Sequence, residues 1–188
     1  DLTIPFAIKT VKQKVKVGTF MANRDRAFNA RRFGYVTNSP LSNLLTETPD
    51  KIFSIENLSA NGFRIEEATQ PTDNYSATAN NLAAYAMFEN IIRKKIKLVW
   101  GARYEKFNLN LKSNDGVNDK TYSRNYNNIL PSASISYGLN EKTNLRANFA
   151  QTVSRPDFRE IAPFAFFDFT NSAVVQGYDS LTQANISN

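Results

Sequence analysis

The stretch that decides the fold is Ile129–Leu139, which reads Ile-Leu-Pro-Ser-Ala-Ser-Ile-Ser-Tyr-Gly-Leu. Its odd positions are mostly apolar, and most of its even positions hold serine or glycine. After Asn140-Glu141-Lys142, alternate positions again hold the apolar residues Leu145, Ala147, Phe149 and Val153. Alternation with a period of two places apolar side chains on one face of a strand and polar side chains on the other. The two stretches therefore predict an antiparallel hairpin with one apolar and one polar face.

The same alternation predicts a second hairpin, with a tight turn near Arg93-Lys94, and an earlier strand rich in lysine. Along the first strand of that second hairpin, one face holds the odd-numbered apolar residues from Ala77 to Ile91, and the other mixes Leu82 and Phe88 with polar residues. The predicted strands are at about 10–24, 75–92, 95–108, 127–139 and 143–154. Their long connections are predicted at about 36–74, 112–126 and 155–175.

Long loops at one end of the strands and short turns at the other are typical of outer-membrane β-barrels. We therefore predict an all-β chain, 1–188, that forms a single partial domain of antiparallel up-and-down strands from a transmembrane outer-membrane β-barrel. Because closure starts at about eight strands, five or six strands are expected to belong to a larger barrel. A soluble β-sandwich that binds glycans or surface partners stays open as an alternative, since alternation does not distinguish lipid from water.

The barrel interpretation assigns each strand face to lipid or to the lumen, because the apolar face of such a strand meets lipid. The residues predicted to face lipid are Leu98, Trp100, Tyr104, Ile135, Tyr137, Leu145 and Phe149. Those predicted to line the lumen are Lys12, Lys14, Lys16, Arg103, Glu105, Arg146 and Asn148.

Composition excludes several classes of chemistry. The chain contains no cysteine and no histidine, which excludes disulfide frameworks, thiolate nucleophiles, Ser-His-Asp triads and the usual zinc sites. No stretch approaches the roughly 18–20 consecutive apolar residues of a membrane-spanning helix. Carboxylate pairs such as Glu66-Glu67 are interpreted as solvated charges. We therefore expect no enzyme, no catalytic residue, no metal and no cofactor.

The net charge of +6 favours anionic partners. The stretch from Arg24 to Tyr35 contains four arginines and three aromatic residues, a mixture that nucleic-acid-binding surfaces also show. On a strand, however, Arg24 and Arg26 face the predicted lumen together with the lysines. We therefore expect no nucleic-acid partner, and an anionic ligand such as a ferric siderophore or a charged glycan fits the same charge.

Several motifs resemble the barrel of TonB-dependent outer-membrane receptors, particularly those of Bacteroidetes-like bacteria. Asn148–Phe164, Asn-Phe-Ala-Gln-Thr-Val-Ser-Arg-Pro-Asp-Phe-Arg-Glu-Ile-Ala-Pro-Phe, is similar to that family's "T-x-S-R-P-x-F-x-E-L-x-P" segment. Leu98–Glu105 resembles its "GxRYE" motif, and Ile129–Ser132 and Asp25–Asn29 resemble further stretches. Gly177–Leu181 is similar to "GNPxLxPE", with departures at Tyr178 and Thr182.

The resemblance implies five or six strands from the middle to the end of a barrel of about 22 strands, located in the bacterial outer membrane. Nothing in the chain resembles the family's plug domain or its TonB-contacting box. By resemblance, the whole protein binds a scarce nutrient, siderophore-, vitamin- or glycan-like, at its extracellular mouth. Energy from the inner-membrane TonB complex, acting through the plug, then drives import. The expected partners are outer-membrane lipid, the TonB complex and that nutrient.

The Ser-Arg-Pro segment predicts a short helix at the mouth of the barrel. Ser154 is predicted to cap it, Pro156 suits its first turn and Asp157 completes a capping box. The phenylalanines that follow are expected to pack over the mouth or to stack against a ligand. The candidate ligand-binding residues are Arg103, Arg155, Asp157, Phe164, Phe166, Phe167 and Asp168.

Overall fold

A computed structural model describes residues 1–8, 11–37, 44–59, 62–93, 95–140 and 142–188. Residue 10 of the first predicted strand, residues 38–43 and 60–61 of the first predicted loop, and Lys94 and Glu141 of the predicted turns lie outside the described residues. The strands are β1 (Leu2–Ile8), β2 (Val11–Asn29), β3 (Phe33–Thr37), β4 (Phe63–Glu67), β5 (Asn74–Ile92), β6 (Ile96–Asn114), β7 (Asp119–Asn140), β8 (Thr143–Ser154), β9 (Ala165–Asp168), β10 (Ala173–Gln176) and β11 (Ala184–Ser187). The helices are α1 (Pro49–Ile52) and α2 (Phe158–Ile161), with 3₁₀ turns at Leu44–Thr46 and Pro71–Asp73.

Seven strands form one antiparallel sheet in the order β1-β2-β5-β6-β7-β8-β11. Two small hairpins, β3–β4 and β9–β10, lie in the long connections. The sheet is open, and its edge strands are β1 and β11. The five strands predicted from alternation are its five central strands, whereas β1 and β11 were missed because their stretches are short or carry weak alternation. In the described part of the chain, no helix has the length and apolar character needed to cross a membrane.

The connections alternate in length as predicted, with one exception. Long connections join Asn29 to Asn74 and Ser154 to Ala184 at one end of the sheet, and short ones join Ile92 to Ile96 and Asn140 to Thr143 at the other. The predicted loop at 112–126 is wrong, because β6 and β7 continue through most of it and only residues 115–118 join them. That stretch is polar on both faces, so its sequence lacks the apolar alternation of a half-buried strand.

The turn between β6 and β7 is held by local hydrogen bonds. The Asp115 carboxylate accepts from the backbone N–H groups of Val117 (3.0 Å) and Asn118 (2.8 Å) and forms an ion pair with Lys120 (2.6 Å). These contacts hold the pKa of Asp115 well below its usual range, the Asn118 backbone N–H being the main cause. Gly116 has φ +100°, a conformation that L side chains rarely adopt. The polar residues here therefore form a tight turn and not a long loop.

The two faces of the sheet differ in what covers them. We call the face against which Phe158 and Ile161 pack the inner face, and the opposite one the outer face. The cross-strand register places Lys12, Lys14, Lys16, Arg103, Glu105, Arg146 and Asn148 on the inner face. The same register places Leu98, Trp100, Tyr104, Ile135, Tyr137, Leu145 and Phe149 on the outer face. Each set therefore shares the face that the alternation predicts for it.

The orientation of β5 departs from a simple assignment of apolar residues to lipid. Its odd-numbered apolar residues pair with the odd-numbered residues of β6, so that Ala83 lies opposite Glu105 and Tyr85 opposite Arg103. They are therefore on the inner face, and Leu82 and Phe88 are on the outer face. Ala77 and Ala79 are almost fully buried there, because α2 covers them. The inner-face residues that α2 covers are therefore apolar, because they belong to a packed core.

Besides the backbone pairing of its two strands, an ion pair supports the β3–β4 hairpin outside the main sheet. Arg31, just before β3, donates two hydrogen bonds to the Glu67 carboxylate at the end of β4, at 3.0 and 2.7 Å. The Thr69 hydroxyl donates a third, at 2.7 Å. The Arg31 hydrogen bonds, with a smaller effect from Thr69, lower the pKa of Glu67 from 4.5 to about 2. The pair therefore holds the two ends of this hairpin together.

We predict that acid weakens this hairpin between about pH 4.5 and 2. Because the folded pKa of Glu67 is depressed, the stabilisation is present above the unfolded value of 4.5 and is lost as the pH falls toward about 2. Amide hydrogen exchange of β3 and β4, normalised to intrinsic rates, should show wild type better protected than Glu67→Gln at neutral pH. The two should converge near pH 2. Glu66→Gln is the control, since Glu66 pairs with Arg64 on its own strand; an equal effect of both variants contradicts the assignment.

Candidate functional site

The candidate site lies on the inner face at the end with the long connections. We call residues 155–183 the returning segment, because they leave β8 and cross the inner face before β11 pairs with β8. Asp179 in this segment accepts a hydrogen bond from Arg124 of β7 through its backbone carbonyl. Gln183 exchanges hydrogen bonds with Asn128 of β7, at 2.6 and 3.1 Å. The segment is thus attached to the wall of the sheet and does not extend away from it.

A buried carboxylate anchors the start of the returning segment. Glu105 of β6 binds Arg103 through Oε1 at 2.6 Å and Arg155 through Oε2 at 2.8 Å. The side chains of Glu105 and Arg155 are only 9% and 15% exposed. Charge-assisted hydrogen bonds in such a partly dry site are stronger than surface ion pairs. Arg103 and Glu105, both predicted to line the lumen, thus form an ion pair on the inner face, and Arg155 completes a group of three.

Asp157 provides a second attachment. Its carboxylate lies 3.2 Å from the Arg24 guanidinium of β2 and 4.0 Å from that of Arg26. The predicted cap at Ser154 is wrong, because Ser154 is the last residue of β8 and pairs with Ala184. Asp157 is the N-cap of α2 instead, and its backbone N–H donates to the Glu160 carboxylate at 2.7 Å. The capping box is therefore three residues later than the sequence suggested.

Apolar packing fixes α2 on the sheet. Phe158, Ile161 and Ala162 are at most 3% exposed and pack against inner-face residues of β5 and β6. The small side chains of Ala77 and Ala79 leave the space that these residues fill. Gly177 lies so close to α2 that a Cβ there would be 2.0 Å from the Ala162 carbonyl oxygen. The returning segment consequently needs glycine at this position.

A cavity of about 330 Å³ opens between the returning segment and the sheet. Two buried polar atoms at its lining, Asn81 Oδ1 and Arg155 Nε, have no hydrogen-bond partner among the described residues. The first accepts a hydrogen bond and the second donates one, so a ligand with both kinds of group fits them. The lining consists of Phe20, Ala22, Arg24, Ala79, Asn81, Phe107, Arg155, Pro156 and Asp157.

The arginines around this cavity rest on aromatic rings. The Arg155 guanidinium lies 4.6 Å from the centre of the Phe107 ring, and Arg24 lies 4.9 Å from that of Phe158. Arg103 lies 5.2 Å from that of Phe20. Stacking of this kind restricts the guanidinium rotamers while leaving edge N–H groups free to donate. The cavity therefore presents positive groups in defined positions.

Of the predicted ligand-binding residues, the structure brings Arg103, Arg155 and Asp157 together. Phe164 is buried, and its ring packs edge-on against Phe28 with centroids 4.9 Å apart. Phe166 stacks on Phe164 and carries the Arg159 guanidinium at 3.6 Å.

Phe167 and Asp168 belong to β9 and do not line the cavity. The Phe167 ring contacts Phe169, and Asp168 accepts hydrogen bonds from Thr170 and Asn171.

The sequence did not single out Phe20, Asn81 or Phe107, which also line the cavity. Phe107 could have been identified from the alternation of side chains along β6, because this residue follows Arg103 and Glu105 on the same face. Asn81 lies opposite Phe107 in the register. Their proximity to Arg155 depends on the path of the returning segment, which the alternation of side chains along the strands does not predict.

Comparison with known proteins identifies the family. A family model described as "Outer membrane protein beta-barrel family" matches residues 46–177, more than two thirds of the chain. The chain belongs to this family. A comparison with curated proteins gives no significant match.

Membership in this outer-membrane β-barrel family places the protein in the bacterial outer membrane, associated with its lipid. The antiparallel strands and the uneven lengths of their connections are those of a barrel of this kind. The soluble β-sandwich alternative is excluded by the family match. On the outer face, Trp100, Tyr104 and Phe149 are each between 45% and 47% exposed. We therefore expect lipid at the outer face, as the sequence predicted.

We predict that a charge in the middle of the outer face destabilises this outer-membrane barrel. Phe149→Arg should lower the free energy of unfolding by about 2–4 kcal/mol, because the guanidinium replaces an aromatic ring near the bilayer midplane. Asn148→Arg, one residue away on the inner face, is the matched control and should cost much less. Urea unfolding of the barrel in lipid vesicles measures both; equal costs for the two variants argue against lipid at this face.

A double-mutant cycle tests the anchor of the returning segment. We expect Glu105→Gln and Arg155→Gln to show a coupling energy of about 1–3 kcal/mol in the same unfolding assay, because the paired groups are largely buried. The reference cycle uses Glu47 and Lys51, a pair whose side chains are 44% and 68% exposed, and its coupling should stay below about 1 kcal/mol. A similar small value for both pairs contradicts an anchoring role for Arg155.

Proposed function

We propose that the protein is a TonB-dependent outer-membrane receptor that binds a scarce nutrient at its extracellular mouth and imports it. The observation that carries the proposal is the returning segment. Its first residues, Arg155 to Pro163, together with Ser154 at the end of β8, resemble the Ser-Arg-Pro segment of that family. These same residues fold onto the inner face and line a cavity there. Because this motif forms part of the wall at the lumenal mouth, its position suits a receptor that binds its ligand there.

The chemistry of the cavity supports binding and not catalysis. Glu105 binds the cavity residue Arg155, is shared by two guanidinium groups and is thereby held as a structural anion. The Asp157 carboxylate is likewise paired with Arg24. Carboxylates neutralised in this way are poorly suited to general acid–base work. We therefore propose a non-enzymatic role in which the TonB complex acts through a plug domain and supplies the energy for import.

Uptake by whole cells tests the proposal. Cells that carry the protein, with and without a functional TonB complex, are offered labelled ferric siderophores, cobalamin and oligosaccharides. We expect at least one of these probes to accumulate only when both the protein and TonB are present and the inner membrane is energised. Accumulation that is insensitive to TonB or to a protonophore overturns the transport proposal.

The same assay tests the cavity. Arg155→Ala and Asp157→Ala should reduce both uptake and affinity for the probe that accumulates. Lys51→Ala, a change in an exposed residue of α1, should leave both unchanged. Unaltered uptake and affinity in the first two variants removes these residues from the ligand site.

A further inference from the structure

The charges of the main sheet are distributed very unequally between its two faces. Across the seven described strands, the inner face carries ten cations and two carboxylates, whereas the outer face carries two of each. The inner cations are Lys12, Lys14, Lys16, Arg24, Arg26, Lys97, Arg103, Lys120, Arg124 and Arg146, and the inner carboxylates are Glu89 and Glu105. The outer charges are Lys106, Lys112, Asp25 and Asp119. The positive surplus of the sheet therefore lies entirely on the inner face.

The two inner-face carboxylates do not neutralise this surplus. Glu89 lies between two lysines, 3.8 Å from Lys14 and 3.2 Å from Lys97. Glu105 likewise serves both Arg103 and Arg155. Carboxylates outside the strands pair with four further inner-face cations: Asp1 with Lys16, Asp115 with Lys120, and Asp157 with Arg24 and Arg26. Even with these three carboxylates counted, the ten cations exceed five carboxylates, and the face keeps a net positive charge. Within the described ranges, Lys12 and Arg146 form no ion pair.

Five of these cations form a track along β2 that is interrupted in its middle by Gly18, Phe20 and Ala22. Lys12, Lys14 and Lys16 follow one another at alternate positions near the short-turn end, which spaces them about 7 Å apart. Arg24 and Arg26 continue the same face at the long-connection end, where Arg24 lines the cavity. The lysine side chains of this track are accessible, Lys14 being 54% and Lys16 37% exposed. Positive charge therefore lies at both ends of the strand, and the Arg103 guanidinium of β6 lies beside its uncharged middle, 5.2 Å from the centre of the Phe20 ring.

We propose that the solute taken up by this protein is a small polyanion, carrying two or more carboxylate or phosphate groups, which the inner-face cations bind and guide from the cavity toward the short-turn end. The inference deepens the proposed function and rests on it. Rows of Lys and Arg on a pore wall select anions, and positive clefts raise the local concentration of such solutes. A track of this length suits a solute that moves along the wall.

Equilibrium binding of a defined probe tests this inference. The probe is citrate, with sucrose as an uncharged comparison, and the sample is the whole barrel protein purified from the outer membrane in detergent. The test variant is the double substitution Lys14→Gln and Lys16→Gln. The matched control is Lys106→Gln with Lys112→Gln, which removes the same charge from the outer face. Heat-modifiable gel migration verifies that each variant is folded.

We expect citrate to bind the wild type and the outer-face variant equally, and sucrose to bind neither. The inner-face variant should bind citrate about tenfold more weakly, and added salt should weaken binding in all three. Equal weakening by the two double variants, or no citrate binding by the wild type, overturns the inference. Binding of an acidic protein domain in place of citrate assigns the basic wall to a protein partner and also overturns it.

The inference and the proposed function fail in different ways. If an uncharged probe is taken up in a TonB-dependent way and the inner-face variant does not affect this uptake, the polyanion inference is refuted. The proposed transport role then still stands. If citrate binding depends on Lys14 and Lys16 but uptake is independent of TonB, the proposed transport role is refuted. The anion-binding site then still stands.

Discussion

The unbroken backbone pairing of the central strands is the constraint on which the rest of the structure depends. The β2–β5, β5–β6 and β6–β7 ladders run through 17, 18 and 19 consecutive residue pairs. A bilayer offers no water to backbone N–H and C=O groups, so strands that cross it must satisfy those groups in each other. Because side chains alternate strictly along such a ladder, the register of one pair decides which face every other residue occupies. The separation of charge from apolar surface follows from that register.

The register also positions the inner-face residues that bind the returning segment, which lies outside the ladder. Glu105 is placed there by β6, and its two oxygens can serve Arg103 on the same strand and Arg155 at the start of the returning segment. Ala77 and Ala79 give α2 a shallow apolar surface, and Arg24 binds Asp157. The ion pairs fix the direction of the returning segment, and the apolar packing excludes water between α2 and the sheet. The mouth of the cavity is therefore structured.

Particular residues explain where prediction from sequence succeeded and where it failed. Alternation predicted the faces of Trp100 and Phe149 because each lies in a strand with one polar and one apolar face. It failed at 112–126, where both faces of β6 and β7 are polar and the sequence reads as a loop. It also failed for Ala77, since an apolar residue on the inner face contacts α2 and not lipid. Ser154 was taken as a helix cap because local motifs do not reveal that β8 continues through it to pair with β11.

The sequence by itself determined the class of fold, the two faces of the central strands and the basic character of one of them. These properties depend on alternation and composition, which are local and can be read residue by residue. Only the tertiary structure decided that Arg155, Glu105, Asp157 and Arg24 meet, and that Asn81 and Phe107 line the cavity beside them. The physical reason is that these contacts join residues far apart in the chain, such as Arg24 and Asp157. Their meeting depends on the strand register together with the path of the returning segment.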